Sequence, residues 1–425
     1  MIFGMARVGQ IKASGNDPSA VRLTDRISLG VLAEAFPRDV IEDVLTETGR
    51  REQRSRLLPA HVMVRFCQAM CLFFDDDYEE VMRKLVGSLK SMSSWRDEWT
   101  VPSTSAITQA RQRLGADPMR ALFEKTAVPV ARRGTKGACL GSRRLMAIDG
   151  FMVEVPDTGT NAGEFGRMSN GTKASAFPQV LTVVLGECGS HAITGAAAGP
   201  CNSHERELAR HLMSRLERDM LVIADRNFYS YDLWTQFRRT PADLLWRVNA
   251  NLDLPVVRWL PDGSYLSVIC HSKIRGRRRS ELLRPAGQGA EIDPAEAQLV
   301  RVVEYDIPDR EGSGAGELIC VITSVLDPAQ ATAEELAAAY HERWECENLI
   351  DEVKTRQRGP ARILRSKSPE MVRQEIWALL LTHYGIRRLM CNAADEIGED
   401  PDRLSFMRSL RVIRRHVTGQ ADFSP

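Results

Sequence analysis

Four side chains that can bind phosphate or a metal ion recur at helical spacing in the segment AAYHERWECENLIDEVKT, residues 338–355. They are the hydroxyl of Tyr340, the guanidinium of Arg343, the carboxylate of Glu347 and the ammonium of Lys354. At about 100° per residue of α-helix, they fall on one face roughly 60° wide, which we call the 340–354 stripe. This stripe could be a solvated ladder of salt bridges, because Arg343 and Glu347 form an i,i+4 pair, or a carboxylate held among phosphate-binding groups.

Two further carboxylates follow apolar, strand-like segments: Asp149 closes LMAID and Asp225 closes LVIAD. Carboxylates at the carboxyl ends of strands in an α/β layer point into one crevice. Taken alone, Asp149 could instead begin a turn with Gly150, and Asp225 could pair with Arg226 or cap the helix at SYDLW. Together with Glu347 they make three like charges from three segments, which is costly unless a cation neutralises them. Such oxygen ligands suit Mg²⁺ or Mn²⁺, and a pair of these ions can activate water or a 3′ hydroxyl against a phosphodiester.

Composition indicates an ordinary soluble protein, since 43% of the 425 residues are hydrophobic and 27% are charged. A chain of this length predicts two or three domains. We find no apolar run of membrane-spanning length and no signal peptide, so we expect no membrane partner. The nine cysteines are scattered without zinc-site spacing and are expected to be buried thiols in a reducing cytosol.

The formal net charge is only +1, but arginines cluster in three basic segments, residues 271–284, 362–373 and 408–416. One such segment is usually a solvated surface, whereas three in one chain favour a polyanionic partner. The candidate nucleic-acid contacts outside the 340–354 stripe are Arg226, Arg275, Arg277, Arg278, Arg365 and Lys367.

Hydrophobic periodicity changes along the chain and predicts its domain organisation. Residues 1–136 are expected to form an all-α DNA-binding domain. Residues 137–238 and 331–395 alternate strands and helices and predict an α/β domain, interrupted by a β-rich insertion at 239–330. Residues 396–425 are too few for a domain and are expected to be a short tail.

At these motifs the chain resembles the DDE transposases of the insertion element 4 family. The 340–354 stripe matches the family signature Y-x2-R-x3-E-x6-K without a gap. AIDGF resembles the first-aspartate strand of the family, and ADRNF resembles the second, usually D-R-G-[FY], with Asn227 in the glycine position. The resemblance extends over most of the chain.

The resemblance implies a ribonuclease H-like catalytic core with a β-rich insertion domain. Asp149, Asp225 and Glu347 would be the catalytic triad and would hold two Mg²⁺ ions, with Mn²⁺ as a substitute. The other three residues of the stripe would contact phosphates of the transposon end. The protein would bind the terminal inverted repeats of its insertion sequence as a homodimer in a synaptic complex, cleave the DNA, and join the 3′ ends to target DNA by transesterification. It would be cytoplasmic in a bacterium and associated with the nucleoid when bound to DNA.

Two other functions remain open at this level: a catalytically silent repressor or relic that only binds DNA, and a metal-dependent nuclease that cuts structured DNA without joining it. A hairpin intermediate is also open. Family members that form one use an aromatic side chain of the insertion to stack on a flipped base. A rough alignment puts Ile319 where those members have tryptophan, and we expect Trp246 and Trp259 to pack in the core.

Overall fold

The computed structural model describes residues 34–52, 57–89, 101–169, 171, 174–287, 292–306, 318–359 and 363–419. The first 33 residues of the predicted N-terminal domain and residues 420–425 of the predicted tail lie outside these ranges.

A single mixed sheet organises the described residues, in the order β4-β3-β2-β5-β6-β10-β9-β8-β7, with β1 paired to β2. Its strands are β1 (Cys139–Leu140), β2 (Arg143–Glu154), β3 (Gln179–Glu187), β4 (Ile193–Pro200), β5 (Met220–Ala224), β6 (Asp243–Val248), β7 (Arg258–Trp259), β8 (Tyr265–Cys270), β9 (Ala297–Tyr305) and β10 (Ile319–Thr323). Strands β2, β3 and β4 form an antiparallel meander, and β5 and β6 continue in parallel from β2. These five strands give the ribonuclease H-like core that the resemblance predicts.

The β-rich insertion extends this same sheet, because β10 pairs antiparallel with β6 and leads on to β9, β8 and β7. Strand β6, which follows the predicted boundary at residue 238, pairs with β5 on one side and with β10 on the other. The boundary of the insertion therefore stays a prediction.

Helices cover both faces of the sheet. They are α1 (Arg38–Glu47), α2 (Ala60–Leu72), α3 (Tyr78–Leu89), α4 (Thr104–Leu114), α5 (Asp117–Thr126), α6 (Gly159–Phe165), α7 (Glu205–Arg210), α8 (Tyr231–Phe237), α9 (Gly276–Gly287), α10 (Ala333–His341), α11 (Trp344–Asp351), α12 (Pro369–Ile397) and α13 (Phe406–Gly419). Single-turn 3₁₀ segments lie at Met213–Arg215 and Pro401–Arg403, and a π-turn spans Glu352–Arg356. No described helix combines the length and apolarity that crossing a bilayer requires.

The N-terminal helices share a hydrophobic core with the catalytic part of the chain. Helix α12 is apolar on nearly all sides and packs against α2 and α5. In the middle of this contact, buried Gln374 accepts a hydrogen bond from Arg111 Nε at 2.9 Å and donates to the Gly115 carbonyl oxygen at 2.7 Å. A helix that is hydrophobic all round needs partners on every side. The N-terminal helices supply them, so they are built into the catalytic body.

The predicted tail contains a packed helix. Helix α13 buries Phe406, Leu410 and Ile413 and lies against α3 and α12. Its arginines, in the third basic segment, lie on the more exposed side, except that Arg414 Nε donates to the Leu72 carbonyl oxygen at 2.6 Å. The C-terminal segment therefore closes the helical layer.

Candidate active site

The two aspartates lie side by side where β2 and β5 part. The last parallel pair between these strands joins Ile148 to Ala224, so Asp149 and Asp225 follow at equivalent positions. Strand β2 does not end at Asp149, as the sequence predicted, but continues to Glu154 against β3. What ends there is its pairing with β5, and this leaves room for the carboxylates at the opening between the strands.

The 340–354 stripe is not one regular helix. Helix α10 ends at His341 and α11 begins at Trp344, and the junction is tightened by i,i+3 backbone bonds such as Arg343 N–H to the Tyr340 carbonyl oxygen at 3.1 Å. After α11 the backbone widens into the π-turn, which contains Lys354. Single π-turns inside helices occur frequently at functional sites. The predicted α-helical spacing therefore holds from Arg343 to Glu347 and is altered at both ends.

Arg343 connects the stripe to the sheet. Its Nη2 donates to Glu347 Oε1 at 2.7 Å, and its Nη1 lies 3.5 Å from Asp149 Oδ2. The guanidinium is mostly buried, with 14% of its side chain exposed. One cation thus contacts two of the three predicted catalytic carboxylates.

The carboxylates also act on one another. Burial raises the pKa of Asp149, and the charges of Glu347 and Asp225 raise it further, against the Gly150 N–H hydrogen bond of 2.7 Å and the charge of Arg343. The structure therefore brings together Asp149, Asp225 and Glu347, as the sequence predicted. Their roles as catalytic residues and metal ligands stay predictions.

A fourth carboxylate, Glu205, borders the same space and was missed by the sequence analysis. It is the first residue of α7, and burial followed by the charges of Asp149 and Asp225 raises its pKa. The only sequence signal is a glutamate just after the β3–β4 hairpin, at the start of the helix that leads to β5. Many surface helices begin with a glutamate for capping reasons, so this signal is weak.

Four carboxylates share this space with the guanidinium of Arg343 and, beside Glu205, that of Arg206, which leaves a negative excess. The possible metal ligands are all carboxylate oxygens, from β2, the end of β5, α11 and α7. Such a set suits Mg²⁺ or Mn²⁺ and does not suit softer metals. The residues present therefore fit the divalent ions that the resemblance implies.

The remaining members of the stripe lie at its two ends. Tyr340 is buried, and its hydroxyl has no hydrogen-bond partner among the described residues. Lys354 is half-buried and forms no ion pair within the described part of the chain. A buried hydroxyl and an ammonium without an ion pair are available to a phosphate group.

The predicted contacts outside the stripe are dispersed. Arg226 is exposed directly beside Asp225, and Lys367 is exposed before α12. Arg275, Arg277 and Arg278 lie at or in α9, on the insertion and exposed. Their pairing is internal: Arg277 Nε bonds Glu281 at 2.9 Å, and Arg278 Nε bonds Glu296 at 3.0 Å.

Arg365 has a structural environment. Its guanidinium donates to the carbonyl oxygens of Met70 (2.6 Å), Phe73 (2.9 Å) and Asp76 (2.5 Å), beyond and within the last turn of α2. It also stacks over the Phe74 ring. These bonds satisfy carbonyls that a helix end leaves unpaired, and the interpretation of Arg365 as a DNA contact stays a prediction.

The insertion tryptophans differ from each other. Trp246 is fully buried in β6 and packs edge-on against Trp234 and Phe237, as expected for a core residue. Trp259 is 66% exposed, so the expectation that it packs in the core is wrong. It lies on the edge strand β7 against the Tyr265 ring, and a two-residue edge strand has no second layer to cover it.

A buried polar network lies behind α11, on the side away from Glu347. His191, which has a left-handed backbone (φ 57°) in the β3–β4 turn, contacts Glu345 and lies 3.3 Å from Asp402 Oδ1. Arg387 from α12 contacts both the same imidazole and Glu352. The donor atoms of His191, Glu345 and Asp402 are within 4.8 Å of one another, close enough for a metal ion. A guanidinium on the same imidazole already supplies a cation, so we interpret the cluster as a support for α11.

This network predicts a pH dependence of stability. Burial and the hydrogen bond with Glu345 raise the pKa of Asp402 to about 7, against the lowering effect of His191. Between about pH 4 and about pH 7 Asp402 keeps in the folded protein a proton that it has released in the unfolded chain, so its contribution to the free energy of unfolding falls as pH rises through this window. Asp402→Asn keeps a hydrogen-bond donor without titrating and should flatten this fall, as measured by chemical denaturation at several pH values.

The matched control is Glu399→Gln, which removes an exposed carboxylate paired with Arg403 beside the same 3₁₀ turn. It should keep the wild-type pH dependence. Equal slopes for Asp402→Asn and wild type would contradict the shifted pKa.

Comparison with known proteins agrees with this geometry. A family model described as Insertion element 4 transposase N-terminal matches residues 26–124, and one described as Transposase DDE domain matches residues 140–384. The chain is 29% identical over 403 residues to Transposase InsG for insertion sequence element IS4 of Escherichia coli K12, covering 94% of this chain and 85% of that protein. It is 28% identical over 225 residues to the putative transposase InsZ of the same organism, covering 52% of this chain and 72% of that protein.

Among solved structures, a piggyBac transposase in a synaptic complex with hairpin DNA aligns with 93% of this chain and 81% of its own. The TM-score is 0.47 and the sequence identity 12%. That likeness is too distant to bear on activity.

A ribonuclease H-like sheet that presents two aspartates beside a glutamate-bearing helix, together with a matching family model, defines a DDE transposase, an enzyme class that cleaves DNA and transfers its strands. The chain belongs to the insertion element 4 family of these transposases. The predicted family and fold class are confirmed.

Proposed function

We propose that this chain is a cut-and-paste transposase that binds the terminal inverted repeats of its own insertion sequence. It cleaves the DNA at the repeat boundaries and joins the 3′ ends to target DNA by transesterification. The observation that supports this best is the convergence of Asp149 and Glu347 on the buried Arg343, with Asp225 beside them in the sheet. A repressor that had lost catalysis would not need this costly grouping of charges.

Asp149, Asp225 and Glu347 would hold the two divalent ions of the site. Bound there, the ions supply charge for the attacking and leaving oxygens of an in-line displacement. Glu347 would offer its carboxylate oxygens from α11. On the opposite side of this segment, Glu345 contacts His191 and Glu352 accepts a hydrogen bond from Arg387, and these contacts hold the helix in place. The sheet fixes Asp149 and Asp225. The protein would thus fix the positions of the metal ligands before DNA binds, so that the site need not rearrange during cleavage of the phosphodiester.

The rest of the stripe would orient the transposon end. Arg343 can offer a planar pair of N–H donors to a phosphate, and Lys354 a point charge. The Tyr340 hydroxyl can donate a third hydrogen bond from a buried position. Placed on either side of Glu347, these donors would hold the scissile phosphate beside the carboxylates.

Two inverted repeats related by a twofold axis match a protein dimer with the same symmetry. We therefore propose that two copies of the chain act in one synaptic complex, each holding one end of the element.

Incubation with a DNA fragment carrying the inverted repeats that flank the gene tests the proposal. Reactions contain Mg²⁺, Mn²⁺ or EDTA, and Asp225→Asn serves as the inactive variant. Metal-dependent 3′ ends at the repeat boundary, followed by joined products, are expected from wild type. Cleavage without joining would favour the structure-specific nuclease, and tight binding without cleavage in either metal would favour the silent repressor or relic.

Lys354→Ala should weaken repeat binding without a loss of stability. Removing one phosphate contact lowers the slope of log K against log salt concentration by about 1. Binding is measured by fluorescence anisotropy over a salt series.

Arg403→Ala, which removes an exposed cation that pairs with Glu399 and is not among the candidate DNA contacts, is the comparison that calibrates a general charge effect. An unchanged salt slope for Lys354→Ala would remove Lys354 from the interface.

A further inference from the structure

We propose that Glu205 is a fourth carboxylate of the metal site and a direct ligand of one of the two divalent ions. This rests on the proposed function and adds a ligand to the site that the family signature does not contain. The enzyme would then use four acidic side chains, from β2, β5, α7 and α11.

Gly150 shows how closely Glu205 approaches the site. A Cβ atom built on Gly150 would lie 2.5 Å from Glu205 Oε1, 3.1 Å from its Cδ and 3.3 Å from its Cγ. A contact of 2.5 Å does not occur between non-bonded atoms, so a Cβ atom at residue 150 would push the Glu205 carboxylate aside. The glycine next to Asp149 therefore leaves the space that the Glu205 side chain occupies against β2.

The start of α7 is also tied to the second aspartate. Arg206, the residue after Glu205, donates from Nε to the Asn227 carbonyl oxygen at 2.8 Å. Asn227 lies two residues after Asp225, in the turn that follows β5. This bond holds the first turn of α7 against that turn, so the position of Glu205 is fixed relative to both aspartates.

Glu205 lacks the partners that a structural carboxylate would have. It is half-buried, yet within the described residues it forms no hydrogen bond and no ion pair. Its charged neighbours are the carboxylates of Asp149 and Asp225 and, with a smaller effect, the guanidinium of Arg206, whose Nε donates to Asn227. A partly buried acidic group beside two others is unfavourable unless a cation joins them. Arg343 does not supply that cation, because it pairs with Glu347 and Asp149.

The chemistry of the ions favours a fourth carboxylate. Mg²⁺ prefers octahedral coordination by about six oxygen atoms, which come from a few carboxylates, from waters and from phosphate groups. Two ions that share three carboxylates depend heavily on solvent and DNA to complete their ligand shells. Glu205 would give one of them a further protein ligand, so that ion would remain bound before DNA arrives.

The test measures Mn²⁺ binding to the full-length protein by electron paramagnetic resonance and by calorimetry. Four proteins are compared: wild type, Glu205→Gln, Glu207→Gln and Glu347→Gln. Glu207 is an exposed glutamate two residues along the same helix and is the matched control. Glu205→Gln should weaken the binding of one Mn²⁺ by at least about tenfold, whereas Glu207→Gln should bind as wild type does.

Gly150→Ala is a second, independent variant. Its methyl group displaces the Glu205 carboxylate while every ligand is still present, so it should also weaken Mn²⁺ binding. Combined with Glu205→Gln it should add little, because both changes act on the same ligand.

The outcomes separate the two proposals. Mn²⁺ binding that Glu347→Gln weakens and Glu205→Gln leaves unchanged would overturn the role of Glu205 and keep the two-ion site. Wild-type protein that neither binds Mn²⁺ nor cleaves repeat DNA with metal would overturn the metal mechanism and the role of Glu205 with it.

Discussion

Glu347→Gln is expected to reduce cleavage at the repeat boundary by on the order of ten-thousandfold or more, while binding of the repeat stays equal or becomes tighter. Glutamine keeps the shape of the side chain but removes the charge of a proposed metal ligand. It also removes the charge that Glu347 Oε1 offers to Arg343 Nη2, 2.7 Å away. The guanidinium is then freer to bind a phosphate, and repulsion of the DNA backbone decreases. Cleavage is measured on end-labelled DNA, and binding by anisotropy on the same fragment.

Asp351→Asn is the control for this experiment, since it removes a partly exposed carboxylate of the same helix that pairs with Arg356 at 2.8 Å. It should cleave and bind as wild type does. If Glu347→Gln lost binding and cleavage to the same extent, Glu347 would have a role in shaping the DNA-binding surface, and the chemistry would have to come from other residues.

The sequence predicted the parts of the site that depend on local spacing. The i,i+4 relation of Arg343 and Glu347 needs only one helical turn, and α11 provides it. The two aspartates were predicted because each follows a short apolar run that reads as a buried strand. The register of two parallel strands, with Ile148 opposite Ala224, then brings them together.

Residues that depend on contacts far apart in the chain were not predicted. Glu205 meets the site because α7 folds back over Gly150, some 55 residues earlier, and no local pattern encodes that approach. Arg365 was assigned to DNA because it lies in a basic segment, yet the end of α2, almost 300 residues earlier, supplies its acceptors. In each case the charge was visible in the sequence, and its partner was set by tertiary packing.

The π-turn after α11 has a similar origin. Inside a regular α-helix every backbone N–H and C=O group is hydrogen-bonded, so a regular helix is the default prediction for this segment. Here Glu352 begins the π-turn and is buried against α12, where His383 Nε2 lies 3.1 Å from its Oε2. The charge of Arg387 and the hydrogen bonds with His191 and His383 hold the pKa of Glu352 well below its usual range, although burial alone would raise it. This buried carboxylate thus belongs to the first residue of the π-turn, two residues before Lys354.

Arg387→Met is expected to lower the free energy of unfolding by about 3–5 kcal/mol. Arg387 Nε donates to Glu352 Oε2 at 2.7 Å, Nη2 contacts the other carboxylate oxygen, and only 3% of either side chain is exposed. Methionine fills much of the volume but leaves the carboxylate buried without its cation, and that uncompensated charge is the main cost. The loss is measured from urea denaturation midpoints near neutral pH.

The double variant Glu352→Leu with Arg387→Met separates the charge from the volume. Replacing both partners with apolar groups removes the unpaired charge, so the double variant should recover most of the stability that the single variant loses. Cleavage need not recover with it, because the anchor that Glu352 gives to the helix of Glu347 is gone. If the double variant were as unstable as Arg387→Met, the pair would stabilise the fold through packing alone. If it recovered stability and full cleavage together, the buried network would have no part in holding Glu347 in place.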